Sequence, residues 1–101
     1  MTGSPPAGPE LVARRWIVFG RVQGVGFRWF VQSLAQALGV RGWVRNTEDG
    51  SVEVVGLAGA ATIDQLDAKL AAGPPGARIL RIDRSDVPHE IVDGKAFRIK
   101  H

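Results

Sequence analysis

The apolar positions of this chain change period several times, and each change marks a new element. Residues 14–19 read Arg-Arg-Trp-Ile-Val-Phe and end at Gly20. Aromatic and β-branched side chains bounded by glycine predict a strand. Over 26–38, Phe27, Phe30, Val31, Leu34 and Leu38 recur at helical spacing, and Gly39 stands where a left-handed C-terminal cap is wanted. Residues 40–47, with Trp43 and Val44, read as a second strand. Asp49-Gly50 is a strong turn signal, and 51–57, with Val52, Val54 and Val55, completes a hairpin. A second helix over 60–72 carries the stripe Ile63, Leu66, Leu70 and is stopped by Gly73-Pro74-Pro75. Residues 77–86, with Ile79, Leu80 and Ile82, predict a fourth strand. Residues 88–95 read as a loop. Phe97 and Ile99 alternate with Arg98 and Lys100 as a short last strand over 96–100.

The order is β-α-β-β-α-β with a short fifth strand. Two amphipathic helices each need an apolar surface, and one mainly antiparallel sheet with both helices on one face supplies it. This is an α+β, ferredoxin-like arrangement. The stretch MTGSPPAGPE has no apolar run and no basic cluster, so it does not read as a secretory signal. Its Pro, Gly and Ser content predicts a disordered tail over residues 1–11, followed by one domain over 12–101.

Composition narrows the chemistry. With 101 residues, 45% apolar and 23% charged, the chain is an ordinary globular domain with one modest core. No run approaches the roughly 18 apolar residues of a membrane span, so no membrane association is expected. The absence of cysteine excludes disulfides, thiolate catalysis and thiolate metal sites. The cytoplasm is the default compartment, although a cysteine-free chain also suits an oxidising one. The net charge of +3 is dispersed, with no block of like charge to suggest a nucleic-acid arm. Such a field attracts small phosphorylated solutes at least as naturally as a polyanion. His89 and His101 stand far apart without acidic neighbours, which reads as two surface residues and no metal site.

The segment Gly20-Arg21-Val22-Gln23-Gly24-Val25-Gly26-Phe27-Arg28 runs from a strand through a glycine-rich loop into a helix. Glycines permit positive φ, and successive N–H groups in such a turn converge into an anion nest at the positive end of the helix dipole. Gly24 and Gly26 are where that freedom is wanted; Arg21, Val22, Gln23 and Val25 contribute mostly backbone. Arg28, in the first helical turn, opposes the dipole unless an anion is bound, and its planar fork suits phosphate. Spacing alone leaves an anion site and an empty turn evenly balanced. Neither the P-loop nor the dinucleotide fingerprint matches.

In Gly42-Trp43-Val44-Arg45-Asn46-Thr47-Glu48-Asp49-Gly50, strand alternation puts Asn46 on the face of Val44 and opposite Trp43 and Arg45. If Val44 faces the helices, Asn46 does so too, near the start of the first helix. Its amide offers donor and acceptor atoms that could orient a water. Asparagine also belongs at turns through local backbone hydrogen bonding, and from these residues alone that plainer reading is favoured. Glu48 and Asp49 read as solvated turn residues rather than general bases.

Together these two segments resemble the acylphosphatase family: Gly20–Arg28 its anion-binding loop with the catalytic arginine, and Gly42–Gly50 its second motif with the catalytic asparagine. The resemblance runs from Arg14 to the C-terminus. It implies hydrolysis of an acyl phosphate, a small-molecule substrate, to a carboxylate and inorganic phosphate, without metal or other cofactor. It further implies that Arg28 clamps the phosphoryl group and Asn46 positions the water. Backbone N–H groups of Arg21, Val22, Gln23, Gly24, Val25 and Gly26 complete the cradle. A substrate phosphate oxygen would take the water's proton. Some members carry an aromatic residue where this chain has Gly26, a departure that bears on loop stiffness or acyl preference. A monomer is expected.

Two other readings share the element order. RNA-recognition domains need aromatics on the third strand, and 51–57 has none, so no nucleic-acid partner is expected. Domains that bind carbamoyl or acyl phosphate within larger maturation enzymes continue into cysteine-rich zinc motifs, which this sequence lacks. A non-catalytic phosphate-binding relative would not be expected to keep both Arg28 and Asn46.

Overall fold

The computed structural model describes residues 10–101. In chain order it contains β1 (Leu11–Arg21), α1 (Phe27–Leu38), β2 (Arg41–Asn46), β3 (Val52–Gly59), α2 (Ala60–Ala72), β4 (Arg78–Asp86), a 3-10 turn at His89–Ile91 and β5 (Phe97–Ile99). The strands form one sheet in the order β4-β1-β3-β2-β5. β1 is antiparallel to β3 and β4, β2 is antiparallel to β3, and only β5 runs parallel to its neighbour, β2. This is the expected ferredoxin-like order with its short fifth strand.

Both helices lie on one face because their apolar stripes meet the same strand residues. Phe27, Val31 and Ala35 of α1 and Ile63, Leu66 and Leu70 of α2 share a core with Trp16, Val18, Val44, Val52 and Val54. Period-2 alternation sends Ala13, Trp43, Val55 and Leu57 to the opposite face, where Val87, Ile91 and Val92 pack over them. The segment expected as a plain loop over 88–95 thus has a packing role, and its 3-10 turn carries part of that cover. On this face the Lys100 ammonium lies 4.3 Å from the centre of the Trp43 ring, so the aromatic is capped by a cation. Buried Glu53 is held there by Arg45, with Nε 2.6 Å from Oε1. Arg15 Nε approaches Oε2 at 2.8 Å but is too misaligned to make a hydrogen bond.

The strands differ from the sequence expectation mainly in length. β1 outruns its aromatic and β-branched stretch at both ends, because Leu11 pairs with Gly59 of β3 and Arg21 with Arg78 of β4. Pairing partners, which local composition does not reveal, set those ends. Residues 1–9 of the expected tail lie outside the described residues; Glu10 is exposed and Leu11 already opens β1. α1 ends at Gly39, φ 75°, as its sequence required. Among the described residues no helix is long and apolar enough to cross a membrane.

Candidate active site

Five residues, 22–26, link β1 to α1. Val22 and Phe27, each 1% exposed, anchor the two ends of the link in the core, so the loop is an arch pinned at both feet. Gly24 and Gly26 both have φ 76°, the left-handed region where a side chain is strained. Gly26 is the N-cap of α1. It supplies no side-chain cap, and the first turn holds no acidic residue. The helix therefore presents its free N–H groups and positive dipole end unneutralised. A register shift between Phe19 and Gly20 interrupts the pairing of β1 with β4 just before the arch.

A cavity of about 190 Å³ opens at this helix start. Val22, Gly24, Gly26 and Phe27 line it from the arch and its end, Arg28 and Trp29 from the first turn of α1, Asn46 from the end of β2, Ile99 from β5, and His101 beyond it. Arg28 and Asn46, 18 positions apart in the sequence, thus share one wall system. The alternation argument places Asn46 correctly: Val44 belongs to the helix-side core and Trp43 to the other face. Asn46 Oδ1 is buried and has no hydrogen-bond partner among the described residues. A buried acceptor without a partner is rare enough to require a cause, and a donor bound in the cavity is one.

Not every expected residue lines the cavity. Arg21 is exposed at the end of β1, opposite Arg78. Val25 packs against the helix-side core. Gln23, expected to contribute mostly backbone, also uses its side chain. Its side-chain Nε2 donates to Thr47 O and to Ser51 O, both at 2.9 Å. This amide ties the arch to the hairpin next to Asn46. His89 lies in the turn over the other face of the sheet, whereas His101, expected as a surface residue, is exposed but reaches the cavity rim. Among the described residues no group of three or more His, Asp or Glu side chains is placed to hold a metal ion.

The hairpin that carries Asn46 is stiffened by its own polar network. Thr47 N–H donates to Ser51 O at 3.0 Å. Asp49 Oδ1 accepts from Ser51 Oγ at 2.7 Å, from Ser51 N at 3.0 Å and from the Thr47 hydroxyl. The Ser51 hydroxyl, then the Thr47 hydroxyl, lower the Asp49 carboxyl to about 2. So weak a base, engaged in its own turn, is a brace for the hairpin and not a proton acceptor for catalysis.

Trp29 and Ile99 were not among the residues expected here. Trp29 had a readable signal, since it is a large apolar residue off the helix's apolar stripe. Ile99 had none, because only the pairing of β5 beside β2 brings it in.

The acylphosphatase family profile matches residues 14–99. An acylphosphatase of Koribacter versatilis is 45% identical over 87 residues, covering 86% of this chain and 78% of that protein. The crystal structure of the Bacillus subtilis acylphosphatase superposes with a TM-score of 0.83 at 33% identity, covering 91% of this chain and all of that one. Full-length HypF, in its phosphate- and nucleotide-bound form, matches with a TM-score of 0.85 at 28% identity over 96% of this chain but only 13% of its own length. Since the family profile runs unbroken through the arch, the Asn46 strand and the fifth strand, this chain belongs to the acylphosphatase family.

Proposed function

We propose that the chain hydrolyses the carboxyl–phosphate anhydride of acyl phosphates at the α1 cavity. The phosphoryl group sits over the arch, held by N–H groups from the stretch Arg21, Val22, Gln23, Gly24, Val25 and Gly26, and by the Arg28 guanidinium. Asn46 Oδ1 accepts a hydrogen bond from a water and aims its oxygen at phosphorus. The water oxygen bonds to phosphorus while the bond from phosphorus to the acyl oxygen breaks. That electron pair leaves with the carboxylate, and the water's proton passes to an oxygen of the phosphoryl group, giving inorganic phosphate.

Phosphoryl transfer asks a protein chiefly for positioning and charge stabilisation. A carboxylate ionises near pH 4, so it leaves as an anion at neutral pH and no general acid is needed. The observation that carries the reading is the unpartnered, buried Asn46 Oδ1 in the same cavity as Arg28 and the uncapped helix start.

Phosphate release from benzoyl phosphate, followed with a chelator present, tests it. Arg28→Ala is expected to abolish turnover. Asn46→Ala should cost about 10²–10³-fold in kcat, the typical loss for one transition-state contact, while keeping most of the affinity for inorganic phosphate. Undiminished turnover in both variants would sink the assignment.

A further inference from the structure

Trp29 is 69% exposed, although it stands on a helix whose other large apolar residues turn inward. It shares a solvent stripe with Ser33 and Ala37, four and eight residues on. Packing of the fold therefore gives no reason for an indole at this position. A lone exposed apolar side chain is ordinary, but this one lines the same cavity as Arg28.

The cavity has two kinds of wall. Arg28, Asn46 and the glycine backbone make the polar end. Val22 and Phe27 are sealed beneath it, so the accessible apolar surface is supplied by the Trp29 ring and by half-buried Ile99. Gly26 lies one helical turn before Trp29, and no atom comes within 4 Å of where its Cβ would stand. The space over the helix start at Gly26 is therefore open. An acyl phosphate also has two ends. With its phosphoryl group at the polar end, its acyl group must leave along the remaining wall.

We infer that Trp29, together with Ile99, is the acyl-recognition surface of this site, and that it favours acyl phosphates with an aromatic or extended apolar acyl group over acetyl phosphate. The inference rests on the hydrolytic reading above. A flat indole face offers an aryl ring offset or edge-to-face contact, which a methyl group cannot exploit to the same extent.

The test is kcat/KM for benzoyl phosphate and acetyl phosphate in the wild type, Trp29→Ala and Trp29→Phe. Trp29→Ala should lower the benzoyl-to-acetyl ratio about fivefold, a size typical of one aromatic contact, and Trp29→Phe should restore most of it. The ratio is internal to each preparation, so a general loss of folded enzyme leaves it unmoved. A wild type active on both substrates, with a ratio that Trp29→Ala does not change, overturns this inference alone. A wild type inert on both overturns the hydrolytic reading, and this inference falls with it.

Discussion

The fold makes the strand-to-helix passage twice, and the two passages share almost nothing beyond topology. β3 runs straight into α2, with N-cap Gly59 in an extended conformation, φ −62° and ψ 153°. β1 reaches α1 only through the five-residue arch, with N-cap Gly26 at φ 76° and ψ 18°. Neither helix has a side-chain cap or an acidic residue in its first turn. An uncapped helix start is thus common to both halves and does not by itself make a site. What distinguishes the α1 start is an arch pinned by Val22 and Phe27, an arginine as the second helical residue, and Asn46 delivered from the neighbouring hairpin.

The strongest way to break this contrast is to exchange the second residue of each helix. That residue is Arg28 in α1 and Ala61 in α2. Arg28→Ala should cost at least about 10²–10³-fold in kcat/KM. Ala61→Arg should leave it unchanged, and adding Ala61→Arg to Arg28→Ala should rescue nothing. Any recovery in the double variant would show that a positive helix start is sufficient without the arch.

The arch itself depends on Gln23. Its amide makes two 2.9 Å hydrogen bonds to the hairpin carbonyls of Thr47 and Ser51, one on each side of the turn. Gln23→Ala removes both and frees the arch to drift against Asn46. Small displacements of reacting groups are costly, and kcat should fall about tenfold. Stability should drop by about 1–3 kcal/mol for the two lost bonds. Measuring kcat well below the melting temperature separates the two effects. A melting shift with kcat unchanged would mean that Gln23 only staples the fold.

Local pattern was enough for the periodic elements and for the face of Asn46. The Ile63, Leu66, Leu70 stripe and the Gly-Pro-Pro stop bounded α2 at 60–72, where the structure has it. Alternation from Val44 put Asn46 on the helix side. Contacts that join distant segments left no local signal. Gln23 and its two carbonyl partners are 24 and 28 residues apart. The Trp16 indole finds Asp67 across 51 residues. Trp29 was visible as an apolar residue out of phase with its helix, but an out-of-phase residue does not say what lies beside it.

In the α2 half the corresponding long-range bond serves the core and not a site. Asp67 Oδ1 accepts from Trp16 Nε1 at 2.7 Å and from Arg84 Nε at 2.5 Å. Burial raises the Asp67 carboxyl, but the hydrogen bonds from Arg84 and Trp16, helped by the charge of Arg84, outweigh it and hold the carboxyl below its ordinary value. Asp67→Ala strands the N–H of a fully buried tryptophan and should cost about 1–3 kcal/mol in urea unfolding. Turnover at 25 °C should not change. A loss of kcat larger than the loss of folded protein would show that the two halves are coupled.

The smallest effect concerns acid. Asp49 braces the Asn46 hairpin, and its carboxyl falls from an ordinary 3.8 to about 2 in the fold. A carboxyl lowered in this way binds its proton more readily in the unfolded chain. Its share of stability is therefore fully present above about pH 4 and is lost as pH falls through 3.8 toward 2. Asp67 titrates with the same sign. Asp49→Asn keeps an acceptor in the turn but removes the titration. Urea unfolding stepped from pH 5 to pH 2 should then show a shallower decline in the variant than in the wild type, with the two differing most at the upper end of that range. Parallel curves would mean that the Ser51 and Thr47 hydroxyls hold Asp49 no better in the folded hairpin than in the open chain.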